Sequence, residues 1–465
     1  MNATPPAPSE DESAPLTAPA LHDIAPPAPS EDESAPLTAP ALPDIAPPPQ
    51  PPPPLRRDDP LDAHFRAHLA ADPYLVLHRS VYFVGMGANS AYFPFAVQYW
   101  MSAPERGGLG LTASEAGVAF AAGHLAVLLC APLASNWADG SEGRRRLVLV
   151  GGIVCQACAV LLMSSARTLA GVVACEALQE AVSCAVWPSV DAATQRLLEV
   201  RDGTTVGYGA VRAWGAVGWG SLALLYGALY DRVGLPAMFL AFALSMLPAA
   251  ALCARLPLEK RGASAATNAA ALGALLRIDV AVVFLVCLIC ALLLQIVDVY
   301  RFPFLASLGA SNTLLGSSLT ITAVSEAPFF FFTSALLQKI SLRTALIAVC
   351  AGYAVRFLYY SVIIDPLLTL PAELLHGVTF ALGWAAATQY VTTLLPPELS
   401  STAQGLLSAT QWGLGSALGS FGGGAVSAAW GWRGMWVVGA ALGVLGACLM
   451  ATQKPPEKPA AAVVV

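Results

Sequence analysis

From Tyr74 onward the chain runs as a succession of apolar stretches separated by short polar loops. Each is roughly 18 to 25 residues long, enough at 1.5 Å per residue to cross the ~30 Å of hydrocarbon in a bilayer as a helix. Twelve such stretches can be counted, at about 76–101, 113–136, 147–165, 169–195, 207–230, 235–256, 279–306, 313–336, 343–364, 367–394, 402–428 and 434–452. Composition agrees: 56% of residues are hydrophobic and 12% charged, against about 25% charged in a soluble globular protein. The expected class is therefore an all-α, multi-pass integral membrane protein whose first partner is the lipid bilayer.

Lys and Arg in short loops set the orientation. With the N-terminus inside, inner loops hold Arg144, Arg145, Arg146, Arg196, Arg201, Arg255, Lys260, Arg261, Arg277, Lys339 and Arg343, and outer loops hold Arg106, Arg167, Arg232 and Arg433. Both termini are expected inside. The formal charge of -6 says little about partners, because residues 1–54 carry eight acidic side chains and no Lys or Arg. No nucleic-acid partner is expected.

The longest internal loop divides the stretches six and six, which invites a search for a repeat. The fourth stretch, "CEALQEAVSCAVWPSVDAATQRLL", lies on the tenth, "AELLHGVTFALGWAAATQYVTTLL", at a constant offset of 197. Glu176 then matches Glu373, Trp187 matches Trp384, and Gln179 falls on His376. Two related six-helix bundles follow as the expectation: a tail over 1–72, a first bundle over 73–256, a linker over 257–278, a second bundle over 279–453 and a C-terminal tail over 454–465. The N-terminal tail repeats "PPAPSEDESAPLTAPAL" and ends in a proline run. It reads as disordered, with some polyproline II character, and as a candidate ligand for a proline-recognition module. It lacks the basic and apolar regions of a secretory signal, so the first apolar stretch is the expected targeting element.

The ten cysteines all sit in apolar stretches and read as packing residues. Glu373 and His376 have the Glu-x-x-His spacing of di-iron bundles, but that site needs a second such unit, and Gln179 occupies the repeat-related position. No metal or other cofactor is expected. No nucleophile and base suggest an intramembrane enzyme.

Several motifs carry a family resemblance. The loop "PLASNWADGSEGRRRLVL" resembles the one between helices 2 and 3 of the major facilitator superfamily, with Ser135 in place of its first glycine and Gly140 in place of its first basic residue. "PSVDAATQRL" and "YGAVRAWGAVGWG" resemble the lactose-permease and phenylpropionate-permease-like branch. "SEAPFFFF", "RFLYYS", "PAELLHGVTFALGWAAAT" and "TAQGLL" resemble the animal group named major facilitator superfamily domain-containing protein six. The resemblance covers about residues 75–452. It implies a secondary transporter working by alternating access, with Asp139, Arg144 and Arg145 helping to shut the inner side.

Ionisable residues inside the stretches are Glu176, Glu180, Asp191, Arg212, Asp298, Arg301, Glu326, Arg356 and Glu373. Left facing lipid, they would cost on the order of 25 kcal/mol at about 2.5–3.5 kcal/mol each, so they must face one another or a wet cavity. Asp191 and Arg212 are expected to pair at the inner mouth, and Asp298 and Arg301, at i and i+3, to neutralise each other. Counting along the helices puts Glu373 about 9 Å, Arg356 about 12 Å, His376 about 14 Å and Glu326 about 20 Å from the outer ends. One arginine can hold one carboxylate, and the carboxyl left over is the natural proton carrier. The resemblance implies the same chemistry, since lactose-permease-like symporters place Glu, Arg and a His–Glu pair on helices 8, 9 and 10; here Glu precedes His. Glu326, Arg356, Glu373 and His376 are therefore the expected proton-coupling set, with Glu373→Gln the expected uncoupling change. Glu176, Gln179, Glu180 and Trp187 from the first half, with Asp298, Trp384, Gln389 and Gln411 from the second, are the expected cavity lining.

The functional expectation is a proton-coupled symporter of a small polar solute such as a sugar, nucleoside or aromatic acid. The competing expectation is a non-transporting receptor or scaffold whose N-terminal tail docks a partner.

Overall fold

A computed structural model describes residues 73–200, 208–258, 277–394 and 400–453. The expectations for the N-terminal tail and most of the linker fall outside these residues. Among the described residues the chain is almost entirely helical, without a β-strand, as expected where backbone polar groups must be satisfied internally.

The helices are α1 (Pro73–Asn89), α2 (Phe93–Met101), α3 (Ala113–Asp139), α4 (Glu142–Met163), α5 (Leu169–Ser183), α6 (Val186–Val200), α7 (Tyr208–Val233), α8 (Met238–Cys253), α9 (Ile278–Ser307), α10 (Asn312–Lys339), α11 (Leu342–Val362), α12 (Pro366–Leu394), α13 (Ser400–Ser408) and α14 (Ser416–Thr452). Eight helices among the described residues, some of these pieces being continuous, are long and apolar enough to cross a membrane. Ser and Thr in the loops start several of them. Thr112 and Glu115 form a reciprocal capping box on α3, and Thr168, Ser311 and Ser341 cap α5, α10 and α11, each satisfying an N–H that the helix cannot.

At three places outside the tenth stretch, the apolar stretches differ from the separate, continuous helices expected. The first breaks after Asn89, just before Pro94 opens α2. The fourth breaks between Ser183 and Val186, where Pro188 has no N–H for the preceding turn. The last two run on as one element, interrupted by Gly431 at φ 70°, a left-handed conformation that glycine adopts without steric penalty.

Helices from the two halves of the chain touch along three seams: α7 on α10, α3 on α14, and α2 on α9. Close approach on the first seam requires glycine. A Cβ on Gly227 would lie 2.2 Å from the Asn312 carbonyl oxygen, and one on Gly316 would lie 2.3 Å from that of Ala223. On the third seam Phe95 meets Phe302 edge-on at 5.1 Å.

Candidate functional site

α9, α10, α11 and α12 bring Arg301, Glu326, Arg356, Glu373 and His376 into one buried chain of contacts. Helix α12 is irregular where it carries its two members: regular turns end at Glu373, a turn covers Leu374 and Leu375, and a π-helical segment runs Gly377–Leu382. Ser325 of α10, whose hydroxyl donates to Thr322 O at 2.8 Å within its own helix, meets α12 at this turn. Its hydroxyl accepts from Gly377 N at 3.1 Å and lies 3.3 Å from the Glu373 carbonyl, between the two groups that would otherwise bond along the helix. A side chain inserted in the ladder bends a helix, and π segments concentrate at functional positions. Here the insertion ties the turn bearing Glu373 and His376 to the residue next to Glu326.

Glu373 is fully buried and accepts four side-chain donors. Arg301 and Arg356 both bond its Oε2, the second at 2.5 Å, while the Tyr360 hydroxyl and Thr369, the latter at 3.0 Å, bond Oε1. Two cations and two hydroxyls hold this carboxylate ionised, the arrangement that offsets the penalty of burying a charge. Arg356 also donates to His376 Nδ1 at 3.0 Å, and His376 Nε2 faces Glu326 Oε1 at 3.2 Å. A guanidinium has no acceptor, so Nδ1 must accept and the imidazole proton sits on Nε2, directed at Glu326. Glu326 thus has no direct bond to an arginine, only the longer-range attraction of Arg212 and Arg356, whereas Glu373 is bonded by Arg301 and Arg356.

The expected Asp298–Arg301 pair is corrected. Arg301 crosses to Glu373 on α12, and Asp298 is exposed although its neighbours Val297, Val299 and Tyr300 are buried. A carboxylate facing lipid would be costly, and Asp298 instead lies within electrostatic reach of Arg301, Arg356 and Glu373. The Asp191–Arg212 pair is corrected too. Asp191 accepts from the Tyr82 hydroxyl at 2.6 Å and Arg212 lies over the Tyr82 ring at 5.3 Å, so the tyrosine stands between the two charges.

The remaining expected residues fall into separate groups. Glu176, Gln179 and Glu180 cluster on α5: Tyr92 donates to Glu176 at 3.1 Å, Gln156 to Gln179 at 3.0 Å and Gln179 to Glu180 at 3.0 Å. Trp187 stacks on Tyr82 with centroids 6.3 Å apart. Trp384 and Gln411 line one pocket together with Tyr353, Thr379, Phe380 and Trp412, and Phe380 stacks on His376 at 5.3 Å. Gln389 is exposed further along α12, outside that pocket. In the turn between α3 and α4 Arg145 pairs with Asp139 at 2.8 Å, and Arg144 lies over Trp137 at 5.5 Å. Tyr360 and Thr369 were not anticipated. Their signal was present: Tyr360 lies four residues after Arg356 and Thr369 four before Glu373, on the same helix faces.

The MFS_1-like family model matches residues 75–437. A protein named maltose permease from Geobacillus stearothermophilus is 29% identical over 293 residues, 60% of this chain and 71% of that one. Major facilitator superfamily domain-containing protein 6-like protein B of Xenopus laevis is 24% identical over 122 residues, 26% of this chain and 20% of that one. The crystal structure of the nucleoside transporter NupG superposes with a TM-score of 0.71 at 15% identity, covering 82% of this chain and all of that one. A peptide transporter POT mutant bound to alafosfalin superposes at 0.63 and 15% identity, covering 81% and 93%. These likenesses give the fold. The chain belongs to the MFS_1-like family and is an integral, multi-pass membrane protein of a transporter family rather than an enzyme family.

Proposed function

We propose that the chain is a proton-coupled symporter of a small, uncharged polar solute. It crosses the membrane twelve times with both termini inside, and residues 73–256 and 279–453 rock against each other as two bundles around a central site. The observation that carries this reading is the buried chain Arg301–Glu373–Arg356–His376–Glu326. It contains one carboxylate saturated by cations and one touched only by a neutral imidazole N–H. The first is an electrostatic anchor. The second, Glu326, is the group free to take up and release a proton.

Charge also argues for the class of solute. Arg301 and Arg356 are engaged by Glu373 and Arg212 lies over Tyr82 while attracting Glu326, which leaves Glu180, Asp298 and Glu326 to offer carboxyl groups to a solute. Carboxylates accept from hydroxyl groups, and Trp384 and Trp412, 5.8 Å apart, offer ring faces. Sugars and nucleosides fit that lining better than aromatic acids, and relatives carrying the names maltose permease and nucleoside transporter make maltose and uridine the first probes.

The test is uptake of labelled maltose and uridine into proteoliposomes under an imposed pH gradient. Uptake should rise when the outside is acidic, and Glu326→Gln should make it indifferent to the gradient. Uptake by the parent protein that ignores the gradient would sink the coupling claim.

A further inference from the structure

Asp231 stands in the last turn of α7, at the end of the molecule that loop charge assigns to the outside. Its carboxylate accepts three hydrogen bonds from the first turn of α10: from Asn312 N at 2.8 Å, Thr313 N at 2.8 Å and Thr313 Oγ1 at 2.6 Å. The N-cap Ser311 satisfies Leu314 N, so Asp231 covers two backbone donors that the helix's own cap leaves open. Gln98 of α2 adds a bond to the Asn312 side chain at 2.9 Å. Below this point α7 and α10 stay in contact through Gly227 and Gly316, down to the Thr320 hydroxyl on the Gly220 carbonyl at 2.8 Å. Beyond Thr320, no hydrogen bond joins the two helices among the described residues. Arg212 turns to Tyr82, and Glu326 turns to His376. The hydrogen bonds of the seam thus lie in its outer part, while Arg212 and Glu326 attract each other across its inner part without a direct bond.

We propose that Asp231 is the outer latch of the transport cycle: it holds α10 while the outer mouth is shut and must let go for that mouth to open. The chemistry suits a reversible contact. A carboxylate on a helix N-terminus gains from charge-assisted bonds and from the helix dipole. Asp231 is exposed, so water can replace α10 as its partner when the halves part. The inference rests on alternating access alone, not on the proton relay or on any solute, and its test needs neither.

The experiment uses the full chain, purified in detergent, with Thr320→Cys as a reporter behind the latch. Labelling of residue 320 by a charged maleimide is followed by mass spectrometry, which separates it from the native cysteines. Asp231→Ala should speed labelling about tenfold, the equivalent of about 1.4 kcal/mol in the opening equilibrium. Thr313→Val, which leaves both backbone bonds, should produce a smaller rise. Equal rates in the parent and Asp231→Ala chains would overturn the proposal. Because the alanine variant could disturb folding, Asp231→Cys/Thr313→Cys tests the opposite direction. Its oxidised form should protect residue 320, and reduction with dithiothreitol, removed before the maleimide is added, should restore labelling; oxidised and reduced forms labelling at one rate would also overturn it.

Discussion

Glu373 and Glu326 are both buried glutamates, yet their neighbours differ, and the proposed function gives them different work. Glu373→Gln would leave Arg301 and Arg356 facing each other with no anion between them. Removing one partner from a buried ionic cluster typically destabilises by about 3–5 kcal/mol, so this variant should unfold at a clearly lower temperature or fail to accumulate. Glu326→Gln keeps a partner for the His376 N–H and should unfold near the parent temperature while losing the response to a pH gradient. Thermal unfolding of both variants in detergent checks the contrast, and equal losses would contradict the division into anchor and carrier. Tyr360→Phe removes one hydroxyl from Glu373 and should cost about 1–3 kcal/mol, less than loss of the carboxylate. Depth counting along the helices was enough to nominate Glu326, Arg356, Glu373 and His376. It could not assign Arg301, because a residue at i, i+3 from Asp298 has an obvious local partner, and only packing of α9 against α12 shows that the guanidinium points elsewhere.

At the scale of the element, glycine and serine decide where helices meet and where they bend. Gly227 and Gly316 allow backbone contact between α7 and α10, so Gly316→Val should separate the helices there and expose the same interface that the Asp231 latch guards. Faster maleimide labelling of Thr320→Cys would report it. The Ser325 hydroxyl accepts from Gly377 N and lies near Glu373 O, at the irregular turn of α12. Ser325→Ala should let the regular bond form, straightening the turn and drawing His376 away from Glu326. The expected readout is a weakened dependence of uptake on the pH gradient with little change in unfolding temperature. The apolar length of the tenth stretch was plain in the sequence. Its irregular turn was not, because the inserted hydroxyl comes from another helix.

For the whole molecule, the hydrogen bonds of the α7–α10 seam lie toward one end of it, and Asp298 is exposed between buried neighbours on α9. The proposed topology puts the loop at 259–276 and the turn at Arg433 on opposite sides of the membrane. Single cysteines in each, probed in intact cells with an impermeant reagent, should label only near Arg433; labelling near Lys260 would reverse the orientation. The repeat between the fourth and tenth stretches also has a whole-molecule consequence. Glu176 and Glu373 occupy related positions, but Glu176 meets the Tyr92 hydroxyl where Glu373 meets two arginines. If the expected repeat holds, its two glutamates thus have different settings, a hydroxyl and the nearby Glu180 for one and two arginines for the other.

Sequence alone determined that this chain lives in a membrane as helices, where most of them begin, and which ionisable residues had to be sheltered. Those properties follow from apolar length, from capping residues and from the penalty for charge in hydrocarbon, all of which are local. Only the tertiary structure decided which charge meets which. Arg301 bonds Glu373 rather than Asp298, Tyr82 stands between Asp191 and Arg212, and Asp231 reaches α10 across 81 residues of chain. Such pairings depend on the rotation and tilt of helices distant in sequence, which side-chain packing sets and no periodicity encodes.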